Sequence, residues 1–273
     1  MKLKKIIKHD EGRQIWRLLI NQKNQLLVEE RDINTKSVFY SLLDLNSKKH
    51  LLKSHQFDEK FWIGIEAFTD DVLVLHKFVK PDMPTHKGMI AYSLIDKKVK
   101  WENERLQFLY VKEKDIYCFS QKFEAKEFYI VDLASGEIKE NLGSDFNKVN
   151  KIKNQIDEAS QSLGYIFPEA LHPIRNENAF NIVQKVTNKY KVKGSFDALE
   201  FKGYIFVNCH TENKDGTLNN NFQIVDTGSN KIIFEELLNK KVNSIFVDSF
   251  FIKDDFLFLL IEKSGVNIYR IEI

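Results

Sequence analysis

Phe128-Tyr-Ile-Val-Asp-Leu-Ala-Ser-Gly-Glu-Ile138 is an apolar strand, a tight turn and the start of a returning strand. Phe128 to Val131 is aromatic and β-branched, the composition of a buried strand. The Asp132 side chain can accept hydrogen bonds from the backbone just after it and so open a turn, as Ser135 can more weakly. Gly136 supplies the left-handed conformation that a hairpin loop of this length needs. Glu137 and Ile138 begin the return.

The same unit recurs along the chain. Asp44, Asp132 and Asp226 each end an apolar strand, and Ser47, Ser135 and Ser229 follow three residues later. The next position holds Lys48, Gly136 or Asn230, and glycine and asparagine tolerate positive φ best. Asp96 is placed at the matching strand end of the second unit, with a shorter loop, and Glu272 at that of the last. The separations are 52, 36, 94 and 46 residues. The value 94 is two periods, or one period plus an insertion. Periods in this range are those of propeller blades built from four antiparallel strands.

Tyr92-Ser-Leu-Ile-Asp-Lys-Lys-Val-Lys-Trp101 and Phe128 to Glu137 resemble the repeats of pyrroloquinoline-quinone-type β-propellers, in which a strand ending in Asp meets a Thr/Ser-Gly-Lys turn and a following Trp. Trp101 keeps that aromatic anchor, Phe234 substitutes for it, and Leu52 and Glu140 depart from it. Phe250-Phe-Ile252, Phe167-Pro168, His172-Pro173 and the size also resemble bacterial proteins of a domain-of-unknown-function family with propeller-like repeats. Counting third strands along the chain gives five blades, and the expectation is an all-β, five-bladed β-propeller in a single domain over 1–273. The blades fall near 11–54, 60–103, 104–142, 179–238 and 241–273. The last lacks an outer strand, which residues 2–8 are expected to supply, closing the ring and leaving no exposed sheet edge.

The rhythm breaks at 143–178, read as one helical insertion. Val149, Ile152, Ile156 and Ala159 lie at helical spacing, so a helix is expected from Phe146 to about Ser162. A loop with Pro168 and Pro173 follows to Asn178, and Ala179 to Val186 reads as a strand opening the fourth blade. Ser244–Val247, with Phe250–Ile252, reads as the strand opening the last blade.

Composition bounds the function. The chain has 273 residues, 43% of them hydrophobic, 29% charged, with a formal net charge of +2. Lysines are scattered among acids, so no electrostatic footprint for nucleic acid is present. No apolar run reaches the length of a membrane span, and the basic N-terminus lacks the apolar core of a signal peptide. The expectation is a cytoplasmic monomer. Cys118 and Cys209 lie in apolar strands and read as buried thiols, without metal spacing. No cofactor is expected: the pyrroloquinoline-quinone function does not carry over, for there is no vicinal cysteine pair and no set of calcium-binding carboxylates.

No metal site is expected either, since the seven histidines form no HxH or HExxH pattern. His76 alternates with apolar residues on a strand and reads as structural. Loops on a rigid scaffold are where function concentrates. Glu169, His172 and Arg175, on the one long irregular loop, are therefore candidate ligand-binding residues, against the alternative of a loop packed down by Phe167 and Leu171. His210, in Asn208-Cys-His-Thr-Glu212 at a strand end, is the fourth candidate. Cys209 and His210 are neighbours on a strand and point to opposite sides, which argues against a thiolate–imidazole pair. The function expected is a non-catalytic protein-interaction or ligand-binding module, its partner a protein or a small polar ligand. The alternative is a hydrolase or lyase acting on a small polar or sugar substrate at the central axis.

Overall fold

The computed structural model describes residues 1–79, 83–123, 125–160 and 164–272, with the main chain alone over 156–160. The chain is all-β, with two helices among the described residues. It divides into two compact units, residues 15–163 and residues 1–14 with 164–273. Strand β1 (Lys2–Asp10) belongs to the last sheet of the second unit.

The unit 15–163 holds three four-stranded antiparallel meanders. The first is β2 (Gln14–Ile20), β3 (Gln25–Asp32), β4 (Ser37–Asp44) and β5 (Lys49–His55). The second is β6 (Ile63–Phe68), β7 (Val72–Phe78), β8 (His86–Ser93) and β9 (Lys98–Asn103). The third is β10 (Gln107–Lys112), β11 (Asp115–Gln121), β12 (Lys126–Asp132) and β13 (Ile138–Gly143). Their middle strands are the most buried; Leu26, Leu27, Val28, Leu73, Val74, Leu75, Ile116 and Cys118 are wholly enclosed. Helix α1 (Phe146–Ser160) follows and lays Val149 and Ile152 on Tyr110, Tyr117, Phe119 and Phe128 of the third sheet. The Tyr110 hydroxyl donates to the Val149 carbonyl at 2.9 Å. Residues 161 and 162 of the expected helix lie outside the described residues, as do residues 80–82 of the stretch 80–87, which reads in sequence as a loop with two prolines and whose His86 and Lys87 belong to β8.

The other unit begins with two short strands, β14 (Tyr165–Ile166) and β15 (Glu169–Ala170), where a loop was expected. Ala179 to Val186 is not a strand. It lies in helix α2 (Glu177–Thr187), which buries Ala179, Val183 and Thr187. Those positions are four apart, one face of a helix, whereas the run Phe180-Asn-Ile-Val183 shows no two-residue alternation. The break in the repeat thus runs past 178 to Thr187 and carries a second helix. Strands β16 (Val192–Phe201), β17 (Tyr204–Glu212), β18 (Leu218–Asp226) and β19 (Lys231–Val242) then form a sheet in the order β15-β16-β17-β18-β19. Strands β20 (Phe250–Lys253), β21 (Phe256–Ile261) and β22 (Gly265–Glu272) form the last, in the order β1-β22-β21-β20-β14. Residues 244–247 are not a strand; β14 takes the edge beside β20 instead. Strand β1 runs antiparallel to β22, from Lys2 opposite Glu272 to Asp10 opposite Gly265.

The repeated turn is uniform in geometry. Asp44 Oδ1 accepts from the amides of Asn46 and Ser47 at 2.9 and 2.7 Å, and Asp132 Oδ1 from those of Ala134 and Ser135 at 3.0 and 2.8 Å. Asp226 Oδ1 accepts from the Gly228 amide at 2.9 Å. Lys48, Lys97, Gly136 and Asn230 all have positive φ. The second unit is shifted relative to the expectation. Ser93 pairs with Lys98 as Asp44 pairs with Lys49 and Asp226 with Lys231, so Ser93 stands where the others have Asp, and Asp96 where they have Ser. The hydrogen bonds survive the exchange: the Asp96 amide donates to Ser93 Oγ at 3.0 Å and Ser93 Oγ to Asp96 Oδ2 at 2.9 Å. Beyond each turn the return strand carries one extra residue, Leu51, Lys100, Lys139 or Ile233. Trp101 follows this bulge in β9. Its ring lies against Gly136, and its Nε1 donates to the Leu133 carbonyl at 3.1 Å, tying the second sheet to the turn of the third.

Candidate functional site

In the expected ligand loop the His172 side chain is engaged locally. His172 Nδ1 accepts from the amides of Ile174 and Arg175 at 3.2 and 3.4 Å, and the His172 amide donates to Asn176 Oδ1 at 3.1 Å. The imidazole therefore holds the turn that leads into α2. Glu169 and Arg175 are exposed. His210 lies elsewhere, 1% exposed in the middle of β17, and no hydrogen bond or ion pair among the described residues joins these four to one another. Burial pushes the Cys118 thiol up to about 12 and the Cys209 thiol up to about 11, which keeps both protonated.

His210 belongs instead to a row of polar groups on one face of the sheet β15–β19. Asn208 and His210 alternate with Cys209 and so share a face. Asp197 on β16 is the cross-strand partner of Asn208, and Asn220 on β18 that of His210, with Asn239 on β19 beyond. His210 Nε2 accepts from the Phe246 amide at 3.0 Å, and burial pushes its pKa down. Asn220 Nδ2 donates to Asn239 Oδ1 and to Ser249 Oγ, both at 2.9 Å. The Oδ1 atoms of Asn208 and Asn220, in side chains 1% and 0% exposed, have no hydrogen-bond partner among the described residues. Burial raises the Asp197 carboxyl above its usual range; the Ser195 hydroxyl opposes this and Asp248 adds to it. The row is rich in acceptors and poor in donors. Its sequence signal was the interruption of apolar strands by polar residues at 208, 210 and 219–221, of which only the first two drew attention.

A second cluster lies in the sheet β6–β9. Glu66 Oε1 is 2.9 Å from His76 Nδ1 and 2.7 Å from His86 Nδ1, and the two imidazoles stack with centroids 3.5 Å apart and planes at 9°. The three donor atoms lie within 4.8 Å of one another, a set able to hold a metal ion. Two irregularities aim them. Glu66 is the extra residue of a bulge in β6, and the β7–β8 pairing slips between Leu75 and Lys77, across from Gly88. Bulges re-aim side chains in this way. Gly64 faces His76, and a Cβ there would stand 2.7 Å from His76 Nε2, so the absence of a side chain at 64 is what admits the ring. The residues sit on three strands, at 66, 76 and 86, which no local motif records.

Residues 20–101, less than a third of the chain, match the family model described as a domain of unknown function, DUF4905. The match contains the Glu66 cluster but not the segments at 167, 172 and 250, on which the family resemblance was drawn. No curated protein matches the sequence. Among solved structures, a crystal structure of the eukaryotic initiation factor is 10% identical with a TM-score of 0.35 over 94% of this chain, which spans about half (52%) of that one. A Dos1 propeller is 10% identical with a TM-score of 0.31, covering 94% of this chain and 68% of that one. Kluyvelomyces marxianus Hsv2 is 8% identical with a TM-score of 0.31, covering 96% and 78%. Likenesses at this level assign no activity.

Proposed function

We propose that the chain is a non-catalytic binding module whose five sheets are the blades of one β-propeller with pyrroloquinoline-quinone-type repeats, and that it holds a small polar ligand at the acceptor row of β16–β18. The observation that carries the binding site is the Asn208 Oδ1 atom, fully enclosed and without a hydrogen-bond partner among the described residues, across the strand from the desolvated Asp197 carboxyl. A buried acceptor without a donor costs about 1–3 kcal/mol, and a ligand bearing N–H or O–H groups removes that cost. Acceptors at Asn208, Asn220 and Asp197 select a polyol, an amino sugar or a small amine over an anion. Convergent polar groups beside a perturbed carboxyl are what a small-molecule site presents.

A thermal-shift panel of polyols, amino sugars and diamines tests this. At least one class raises Tm in the wild type and leaves Asp197→Asn unshifted, while that half-buried substitution keeps the ligand-free Tm within about 2 °C. A panel without a hit, or a shift that survives in Asp197→Asn, overturns the site. One observation favours a second reading, a hydrolase or lyase: burial, with Asp248 adding to it, raises the Asp197 carboxyl, the direction of shift that suits a general acid. Turnover of the hit compound, followed by NMR, would select that reading.

A further inference from the structure

We propose that Glu66, His76 and His86 form a binding site for one divalent transition-metal ion of the zinc class, independent of the acceptor row.

The donor set is the first reason. Two imidazoles and one carboxylate suit Zn²⁺, Co²⁺, Ni²⁺ and Cu²⁺, whereas Ca²⁺ and Mg²⁺ require oxygen ligands throughout. The burial of His76 is the second. The ring is 3% exposed, and although Nδ1 lies 2.9 Å from the Glu66 carboxylate, neither ring nitrogen makes a hydrogen bond among the described residues. A buried imidazole is ordinarily satisfied by a partner. A metal at Nδ1 supplies one.

Convergence is the third reason. Both Nδ1 atoms approach the same carboxylate oxygen, at 2.9 and 2.7 Å. Ligand atoms bound about 2.0–2.1 Å from a shared ion lie a little over 3 Å apart, so small rotations of the stacked rings open the space required. Phe78 meets both rings edge-on, at 4.6 Å from His76 and 5.4 Å from His86, and limits where they can turn. The fourth reason is construction. The bulge at Glu66, the register slip across from Gly88 and the bare Gly64 together bring side chains from β6, β7 and β8 to one point.

Three protein ligands leave one tetrahedral position for water or an external ligand. The His86 side chain is 45% exposed, so the ion enters from that side, while His76 forms the enclosed end.

The test is titration of the metal-free full-length chain with Co²⁺ and, separately, Zn²⁺. The expected result is one equivalent bound, visible-region bands of a tetrahedral Co²⁺ centre, and a Zn²⁺-dependent rise in Tm. His86→Ala, at an exposed ring that leaves the core intact, weakens binding more than about tenfold, a loss that even outer-sphere partners can cause. Glu66→Gln, which keeps size and removes the anion, does the same, and His172→Gln leaves affinity unchanged. Absence of stoichiometric binding, or equal affinity in the wild type, His86→Ala and Glu66→Gln, overturns the site. An equal loss in His172→Gln overturns it too, since the ion would then be held by scattered surface imidazoles. Neither result bears on the Asp197 row, whose readout is an organic ligand.

Discussion

Gly136 meets two demands at once: a φ of +77°, and a Trp101 ring so close that a Cβ would stand 2.6 Å from Cδ2. Gly136→Ala should therefore destabilise by about 1–3 kcal/mol, combining backbone strain with a steric clash, read as a shift in the urea midpoint. The neighbouring Asp132 carboxylate is held well below the usual range, first by the Lys139 ammonium and then by the Ser135 amide; Asp226 is lowered by the Gly228 amide and the Ser229 hydroxyl. A depressed carboxyl contributes stability that is complete above the unfolded value, about 3.9, and is lost as pH falls through the folded value. Stability should thus fall below about pH 4, less steeply in Asp132→Asn. His210 acts in the same direction at higher pH, because burial lowers it. Its contribution is complete above about 6.5 and declines as pH drops below that, and His210→Gln should flatten the urea midpoint over that interval. The Asp-turn residues were legible in the sequence because each meets a local backbone demand that few residue types can meet. Glu66, His76 and His86 were not, since what unites them is a bulge and a register slip across three strands.

One turn-and-return element behaves as a docking device. In the second sheet, β9 delivers Trp101 onto the Gly136 turn of the third. Trp101→Phe keeps the ring stacking but loses the bond to the Leu133 carbonyl, at a cost of about 1 kcal/mol. Trp101→Ala loses the stacking too, and a cycle with Gly136→Ala should be non-additive by about 0.5–3 kcal/mol, because the two sites touch. Additive effects in chemical denaturation would sink this reading. Strand positions were largely legible from alternation and turn chemistry. The exception is α2: its apolar residues are broken by Asn181, Gln184 and Lys185 without two-residue alternation, and the face at Ala179, Val183 and Thr187 carries the helical period. The Ser93–Asp96 exchange is hidden in the sequence because two residue types that can each accept from a backbone amide swap places, so the aspartate stands at the far end of the turn.

At the scale of the whole molecule, the expected N-terminal strand is present and pairs with β22, and the Met1 amino group also donates to the Tyr204 hydroxyl at 3.1 Å. Deleting residues 1–10 exposes the edge of β22 and uncovers the core residues on which Met1 and Leu3 pack. A loss of several kcal/mol, at about 2–4 °C each, should lower Tm by more than about 10 °C, and an unchanged melting curve would remove any structural role for the strand. The propeller reading makes a separate demand on calorimetry: five blades in one ring unfold in a single transition, and two resolved transitions would instead make residues 15–163 an independent domain. How many sheets there are was legible from the turn repeat. What the chain binds was not, because acceptors from β16, β17 and β18 meet only through strand pairing.

The pairing of Lys2 with Glu272 also sets an order in time. The two partners are far apart in sequence, so β1 closes a long loop, and it is made before the β22 it must join. While the chain is being made, β1 has no β22 to join. Its exposed lysines, Lys2, Lys4, Lys5 and Lys8, discourage the waiting strand from pairing with another chain.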